Sequence, residues 1–347
     1  MAAPARELSQ QLAERAEAVC RHYLSNGYRS GAYWLVGDLG NAKGRSLFVR
    51  LNGGPAGRSN RGKWQDAATG EHGDLLDLIA AREGHTRFAD TLAEARRFLG
   101  QPDLAPEHGF ARDLKETYRA TSDTTLLAKR IWGECRPICG TAGEAYLKGR
   151  GVCLDGISSI RFHPALPYRA DDRAGPVRLP AYVVAVTDSA GRLTGIQRRW
   201  LRHGDRTGGI IAPRKSLGHL HGNGVWLRHG RHFQESGVIV AGEGVETVLS
   251  VAEVLRTPTL IACLSASHLA AFCWPEWCKR LLILQDNDPA GIRASRRLAA
   301  RAREAGISSA IFRPVLKDFN ADLRLLGWAA LADHLSRQVP DLVIVDG

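Results

Sequence analysis

The sequence predicts a multidomain chain of α/β and α+β type, with the α/β part at its C-terminal end. Three observations carry this. Two apolar runs, Val238–Ala241 and Leu281–Leu284, have the composition of strands buried on both faces, and acidic side chains follow each with Gly close behind. Alternating stretches at Ala181–Val186 and Leu193–Trp200 flank the turn residues Thr187-Asp188-Ser189-Ala190-Gly191 and read as a hairpin. Near the N-terminus, short aromatic-rich stretches precede Gly73-Asp74, which opens a helix.

Taken in order, residues 6–25 read as one helix, with Leu8, Leu12, Ala16 and Val19 at helical spacing. Tyr33–Val36 and Ser46–Leu51 read as strands, Gly53, Gly54, Pro55 and Gly57 as the turn that follows, and Lys63-Trp64-Gln65 as a further strand. Asp74 stands at the N-terminus of a helix running through Ile79. Residues 101–122 mix Pro, Asp, Glu and His without periodicity and read as a linker. A helix follows over 126–132, and Thr141 is the expected N-cap of another. Leu342–Val345 is expected to add an edge strand.

Composition narrows the class. At 347 residues and 44% hydrophobic content, the chain has the length for two or three domains with real cores. No apolar run approaches a membrane span, and Met1–Glu7 lacks the apolar stretch of a signal peptide, so a cytoplasmic protein is expected. Seven Cys, at 20, 135, 139, 153, 263, 273 and 278, form no framework and read as reduced thiols. Cys135 and Cys139 lack a second pair at zinc spacing, and the His at 203, 219, 221, 229 and 232 follow no metal-binding helix pattern, so no zinc is expected. Lys and Arg number 47 against 36 Asp and Glu, a surplus of +11 that favours a polyanionic partner.

The acidic groups carry the chemistry. Ligand sites of open α/β sheets lie at the carboxyl ends of strands, which is where Glu243, Asp286 and Asp288 fall. Asp286 and Asp288 are two apart, so in extended backbone both carboxylates point to one side. Converging carboxylates repel unless a cation holds them, and hard Mg²⁺ (or Mn²⁺) suits oxygen ligands together with substrate phosphates. Phosphoryl-transfer chemistry is the implication.

The pattern resembles the Toprim domain of bacterial-type primases, topoisomerases and some nucleases. That domain has a Glu-Gly after its first strand and an Asp-x-Asp after a later one; here these are Glu243-Gly244 and Asp286-Asn287-Asp288, with Ala290-Gly291 behind. Lys317-Asp318-Phe319-Asn320-Ala321-Asp322 falls where the family often carries another Asp. The resemblance implies a Rossmann-like, mainly parallel sheet. It also implies Glu243, Asp286 and Asp288 as catalytic groups and metal ligands, with Asp318 completing the set. Glu246, one helical turn on, is either a supporting acid or a plain helix-N-terminal acid favoured by the dipole.

A second resemblance, over 125–232, is to the primase catalytic core. Tyr146-Leu147-Lys148-Gly149-Arg150-Gly151 is similar to its Tyr-Leu-x-x-Arg-Gly opening, and Arg199 and Lys215 match an Arg after its hairpin and a Lys after a Pro. The resemblance makes Arg199 and Lys215 ligands of triphosphate or template, with Arg198, Arg214, Lys148 and Arg150 as further contacts. Arg198 and Arg199 point to opposite faces of a strand, so one of them faces the cleft, and Arg202 reads as a solvated charge. Tyr182, Trp200 and Trp226 either stack on bases or pack in the core, with packing expected for at least two. The N-terminal order, with Lys63-Trp64-Gln65-Asp66 and Gly73-Asp74, resembles the zinc-binding module of bacterial primases but without its Cys/His ligands.

These resemblances divide the chain into a zinc-less N-terminal module at 1–100, a linker at 101–124, a primase-core subdomain at 125–232 and a Toprim domain at 233–347. The function they imply is that of a DNA primase-type RNA polymerase, using Mg²⁺ or Mn²⁺ to make short primers from nucleoside triphosphates on single-stranded DNA. A separate replicative helicase is a further implied partner, and no helicase segment is recognisable, as in a mobile-element or plasmid variant. Two alternatives stay open: a Toprim-type metal-dependent nuclease, which would not need the basic segment 191–215, and a non-catalytic single-stranded nucleic-acid-binding protein. A topoisomerase would need a Tyr in a transesterification context, and none is recognisable.

Overall fold

The structure, a computed structural model, describes residues 4–52, 61–66, 72–85, 88–101, 124–168, 175–203, 210–211, 213–255 and 258–338. The turn expected at 53–57, the linker expected at 101–122 apart from residue 101, and the edge strand expected at 342–345 lie outside the described residues. The chain forms two compact units, residues 1–124 and 125–347.

The first unit packs helices α1 (Pro4–Glu14), α2 (Ala16–Tyr23), α3 (Leu75–Glu83) and α4 (Phe88–Leu99) with a five-stranded antiparallel sheet. Its strands β1 (Tyr28–Ser30), β2 (Tyr33–Val36), β3 (Leu47–Arg50), β4 (Trp64–Asp66) and β5 (His72–Gly73) lie in sequence order. The single helix expected over 6–25 is two, broken at Arg15, whose φ of −108° and ψ of 23° leave the helix; no Pro or Gly marks the break. Alternation puts Trp34, Val36, Leu47, Val49 and Trp64 on the inner face, against Leu8, Leu12, Val19 and Tyr23 of the helices. Asp74 caps α3 in a capping box with Asp77, and its carbonyl accepts from Trp64 Nε1 at 2.8 Å. Gly73 is required here, because a Cβ would lie 2.6 Å from Asp77 Oδ2 and 2.9 Å from Trp64 Cζ2. Burial, then the neighbouring Asp74, pushes the Asp77 carboxyl up to about 7.

The second unit begins with helix α5 over residues 124–134, then β6 (Arg136–Pro137) and α6 (Ala142–Gly149), the latter capped by Thr141 as expected. Strands β7 (Ile160–Tyr168), β8 (Val177–Thr187), β9 (Leu193–Trp200) and, after the short pair β10 (Arg202–His203) and β11 (Ile210–Ile211), β12 (Arg214–Gly218) complete an antiparallel sheet ordered β12-β9-β8-β7-β6. The β8–β9 hairpin closes on Asp188, whose side chain accepts from the amides of Ala190 and Arg192 at 3.0 and 2.9 Å.

Strand and helix then alternate: β13 (Val225–Arg228), α7 (Arg231–Glu235), β14 (Val238–Gly242), α8 (Val245–Ala252), β15 (Thr259–Ala262), α9 (Ala266–Ala271), β16 (Arg280–Leu284), α10 (Pro289–Glu304), β17 (Ser308–Phe312), α11 (Phe319–Leu326) and α12 (Trp328–Gln338). Their sheet has the order β13-β15-β14-β16-β17; every pairing is parallel except the edge strand β13 against β15. β13 precedes residue 232 yet belongs to this sheet. The two sheets of the unit share one apolar cluster, in which Tyr182, Val184 and Val186 of β8 join Val245, Val248 and Leu249 of α8. A backbone bridge also ties them, Thr187 N donating to Gly224 O at 2.9 Å. Among the described residues no helix is long and apolar enough to cross a membrane.

Replacing Asp74 by Ala removes the α3 cap and the partner of Lys63, 3.2 Å away. A cap of this kind is worth about 1–2 kcal/mol. Amide exchange across Leu75–Glu83 should therefore accelerate roughly 5- to 30-fold; unchanged exchange would show that the cap does not hold the helix.

Candidate active site

The parallel register brings the strand ends together. Gly242 of β14 lies opposite Leu284 of β16, and Leu284 opposite Phe312 of β17. Glu243 therefore leaves its strand beside the Gln285-Asp286 step, and the chain after β17 returns to the same edge. That return is pinned: Asn287 donates its amide to Lys317 O at 2.8 Å, and Asp322, buried, accepts the amides of Val315 and Leu316 at 2.8 and 2.7 Å. The loop carrying Lys317 and Asp318 is thereby held over Asp286.

Each acidic group has a distinct local role. Asp288 caps α10, accepting from Gly291 N at 2.8 Å with Pro289 in the first turn, and Asp318 caps α11, accepting from Ala321 N at 2.7 Å. One carboxylate oxygen of each stabilises a helix start; the other is outside the cap bond. Asp286 caps nothing. Its Oδ1 is buried with no hydrogen-bond partner. Burial first, then Asp318 and Asp288, pushes its carboxyl up to about 7, against the pull of Lys317 and Arg214. Gly291 lets the α10 backbone sit this close, since a Cβ there would fall 2.5 Å from Asp286 O. Glu243 accepts the Leu264 amide at its carbonyl, 2.7 Å away. Leu264 is buried with φ of +75°, a left-handed conformation costing a bulky residue roughly 1–3 kcal/mol. The strain sits beside Glu243.

This donor set fits a hard divalent cation. It is all oxygen, and one buried carboxylate oxygen lacks any other partner. Glu243, Asp286, Asp288 and Asp318 would hold the ion. As the side chains stand, no group of three or more acidic, His or Cys residues among the described residues is drawn together as a metal site.

The basic residues divide between two faces of the antiparallel sheet. Tyr182, Arg199 and Arg214 are cross-strand neighbours in one row, and Val183, Arg198 and Lys215 in the next. The first row faces α8. There Arg199, 8% exposed, donates from Nη1 to Glu246 Oε1 at 2.9 Å and from Nε to Gln197 at 3.1 Å, while Tyr182 Oη donates to the same Glu246 oxygen at 3.1 Å. Burial pulls the Glu246 carboxyl up, but the Arg199 guanidinium, a backbone amide, the Tyr182 hydroxyl and the Arg150 charge together outweigh it and hold the carboxyl below the usual range. Arg214, in register with Arg199, is the cation of this sheet that acts on Asp286. The second row faces away: Lys215 lies over the Tyr168 ring at 5.8 Å, and Arg198 over Trp200 at 5.3 Å, with burial lowering its guanidinium to about 10. The structure thus separates Arg199 from Lys215, and the charge of Arg214 reaches Asp286.

The remaining expected contacts lie elsewhere. Lys148 pairs with Glu144 at 3.0 Å, and Arg150 ends α6, its carbonyl accepting from Asn320 at 2.8 Å. Tyr182, Trp200 and Trp226 are all buried core residues. Cys135 is buried and Cys139 exposed. Two residues at the site were not among those expected to matter. Lys317 is next to a recognised Asp, which was the available signal; Asn320 carried none, because its importance comes from burial between helices.

Residues 238–329 match the family model of the Toprim domain, and residues 122–227 match that of a domain of unknown function, DUF7146. The C-terminal part of the chain is thus a Toprim domain. Among solved structures, the zinc-binding and RNA polymerase domains of the Aquifex aeolicus primase are similar at 15% identity, over 99% of this chain and 87% of that one, with a TM-score of 0.42. A DNA primase domain from Pseudomonas aeruginosa is 19% identical over 64% of this chain and 78% of that one, with a TM-score of 0.39. The RNA polymerase domain of the Mycobacterium tuberculosis primase DnaG, solved with double-stranded DNA, is 15% identical over 62% and 80%, with a TM-score of 0.37. These similarities assign no residue. No curated protein matches the chain by sequence.

Two outcomes follow from this geometry. Folded Asp286 protonates near about 7 and an unfolded Asp near about 4. Without divalent cation, its unfavourable contribution is therefore complete above the higher value and fades as pH falls between the two. Metal-free wild-type protein should gain stability over that window, whereas Asp286→Asn should lose that gain and melt higher than wild type at about pH 8; superimposable profiles of Tm against pH would contradict it. Second, Arg199→Met or Glu246→Leu alone leaves a lone buried charge and should cost about 3–5 kcal/mol, while the double replacement should recover most of that. Additive losses in urea unfolding would show that the pair is not coupled.

Proposed function

We propose that the chain is a primase-type nucleotidyltransferase that makes short primers on single-stranded DNA, with nucleoside triphosphates as substrates and Mg²⁺ or Mn²⁺ as cofactor. The observation that carries this reading is the unpartnered, buried Asp286 Oδ1 at the strand ends of a Toprim domain. A carboxylate in that position favours a cation over a proton only when the cation is available. The metal would supply charge neutralisation and polarisation of the phosphate oxygens. Asp286, Asp288, Glu243 and Asp318 hold it in place, and Arg214 and Lys317 receive the phosphates of the incoming nucleotide or the template. Arg214 favours a synthetic reading over a purely hydrolytic one. Its guanidinium, from the antiparallel sheet, exerts its charge on Asp286, where a triphosphate needs a cation. The net charge of +11 supports a nucleic-acid partner, and a separate helicase is the natural companion of a primer-making enzyme.

The test is incubation with single-stranded DNA, labelled nucleotides and Mg²⁺ or Mn²⁺. Short labelled products should form. Asp286→Asn and Asp288→Asn should abolish them while single-stranded DNA binding persists. Arg214→Ala should lower incorporation roughly ten- to a hundredfold, the worth of one charge-assisted phosphate contact. Binding should weaken steeply as salt rises. Strand cleavage without incorporation, or full activity in both Asp variants, would overturn the proposal.

A further inference from the structure

A chain of buried polar contacts runs behind the carboxylates. Asn320, on α11, donates from Nδ2 to Ser250 Oγ on α8 at 3.0 Å and to Arg150 O at 2.8 Å. Ser250 Oγ donates in turn to Glu246 O at 2.8 Å, and Glu246 takes the Arg199 guanidinium and the Tyr182 hydroxyl. Asn320 and Ser250 are both wholly buried, and Asn320 Oδ1 has no partner among the described residues. An apolar side chain would fill this helix contact without leaving a buried acceptor unpaired, which alone costs about 1–3 kcal/mol. Apolar packing tolerates small slides of one helix over another, whereas hydrogen bonds at both ends set a register. Both helices start at the acidic edge: α8 is capped by Gly244, the residue after Glu243, and α11 by Asp318 itself. A slide or rotation of α8 against α11 would therefore change the spacing of those two carboxylates.

We infer that the Arg199–Glu246–Ser250–Asn320 seam fixes the separation of Glu243 and Asp318, making Glu246 and Asn320 positioning residues for the cation-holding carboxylates. The inference rests on the metal-centre reading above. Neither residue touches the ion; each acts through the helix on which it sits. Groups that orient metal ligands without binding metal typically change affinity by 10- to 100-fold when removed.

The test is a Mn²⁺ titration of the full chain, followed by paramagnetic resonance, at a temperature where every variant is folded. Asn320→Ala and Glu246→Gln should bind Mn²⁺ roughly 10- to 100-fold more weakly than wild type. Leu166→Ala, a core truncation on the far face of the antiparallel sheet, should lower Tm and leave Mn²⁺ affinity unchanged. Should Glu246→Gln not fold, Arg199→Met combined with Glu246→Leu removes the tie without stranding a charge. Seam variants that bind Mn²⁺ as tightly as wild type would overturn the inference while leaving the metal centre standing. Equal loss in Leu166→Ala would also overturn it, since affinity would then track stability alone. No Mn²⁺ binding by the wild-type chain would overturn the metal-centre reading itself.

Discussion

The ion pair between Arg199 and Glu246 is the interaction on which the second unit turns. It joins the antiparallel sheet to the first helix of the Toprim domain inside a layer otherwise made of Tyr182, Val184, Val245 and Val248. Two charges in such a layer are stable only as a pair with their remaining hydrogen bonds satisfied, which Gln197 and Tyr182 provide. The pair therefore specifies one docking of the sheet on α8. That docking sets where Glu243 emerges, and Arg214, one strand away in the same row, is close enough for its charge to act on Asp286.

At that edge the electrostatics run the other way. Behind it the charges are paired; in front, Asp286 keeps a buried oxygen without a partner among like charges. Backbone strain at Leu264 and the close approach at Gly291 belong to the same edge. An orphan oxygen, a left-handed Leu and two helix-capping carboxylates all lie at the carboxyl ends of strands in this sheet or at the starts of the helices that follow them, where open α/β sheets bind ligands; an oxygen-only donor set there suits a hard cation.

Much of this was legible in the sequence, for identifiable reasons. The strand ends at Glu243 and Asp286 follow from apolar runs stopping at acids, and local turn chemistry gave the β8–β9 hairpin and the caps at Asp74 and Thr141. What could not be read was decided by tertiary packing. Arg199 looks like a phosphate ligand in the sequence and is buried against Glu246 in the fold, because the facing helix is 47 residues away. Arg199 and Lys215 were joined by motif but lie on opposite faces, because β12 pairs Lys215 with Arg198. The break at Arg15 has no Gly or Pro to announce it. Asp288 and Asp318 serve both as caps and as candidate ligands, two uses that local pattern alone does not separate.

The central claim is that Asp286 and its neighbours hold a divalent cation. Anomalous diffraction from crystals soaked in Mn²⁺ locates such an ion without reference to activity. The account predicts a peak at metal–oxygen distance, roughly 2.0–2.4 Å, from Asp286 Oδ1 and from at least one oxygen of Glu243, Asp288 or Asp318. A well-diffracting soaked crystal with no peak at that edge, and Asp286 still unpartnered, would contradict it.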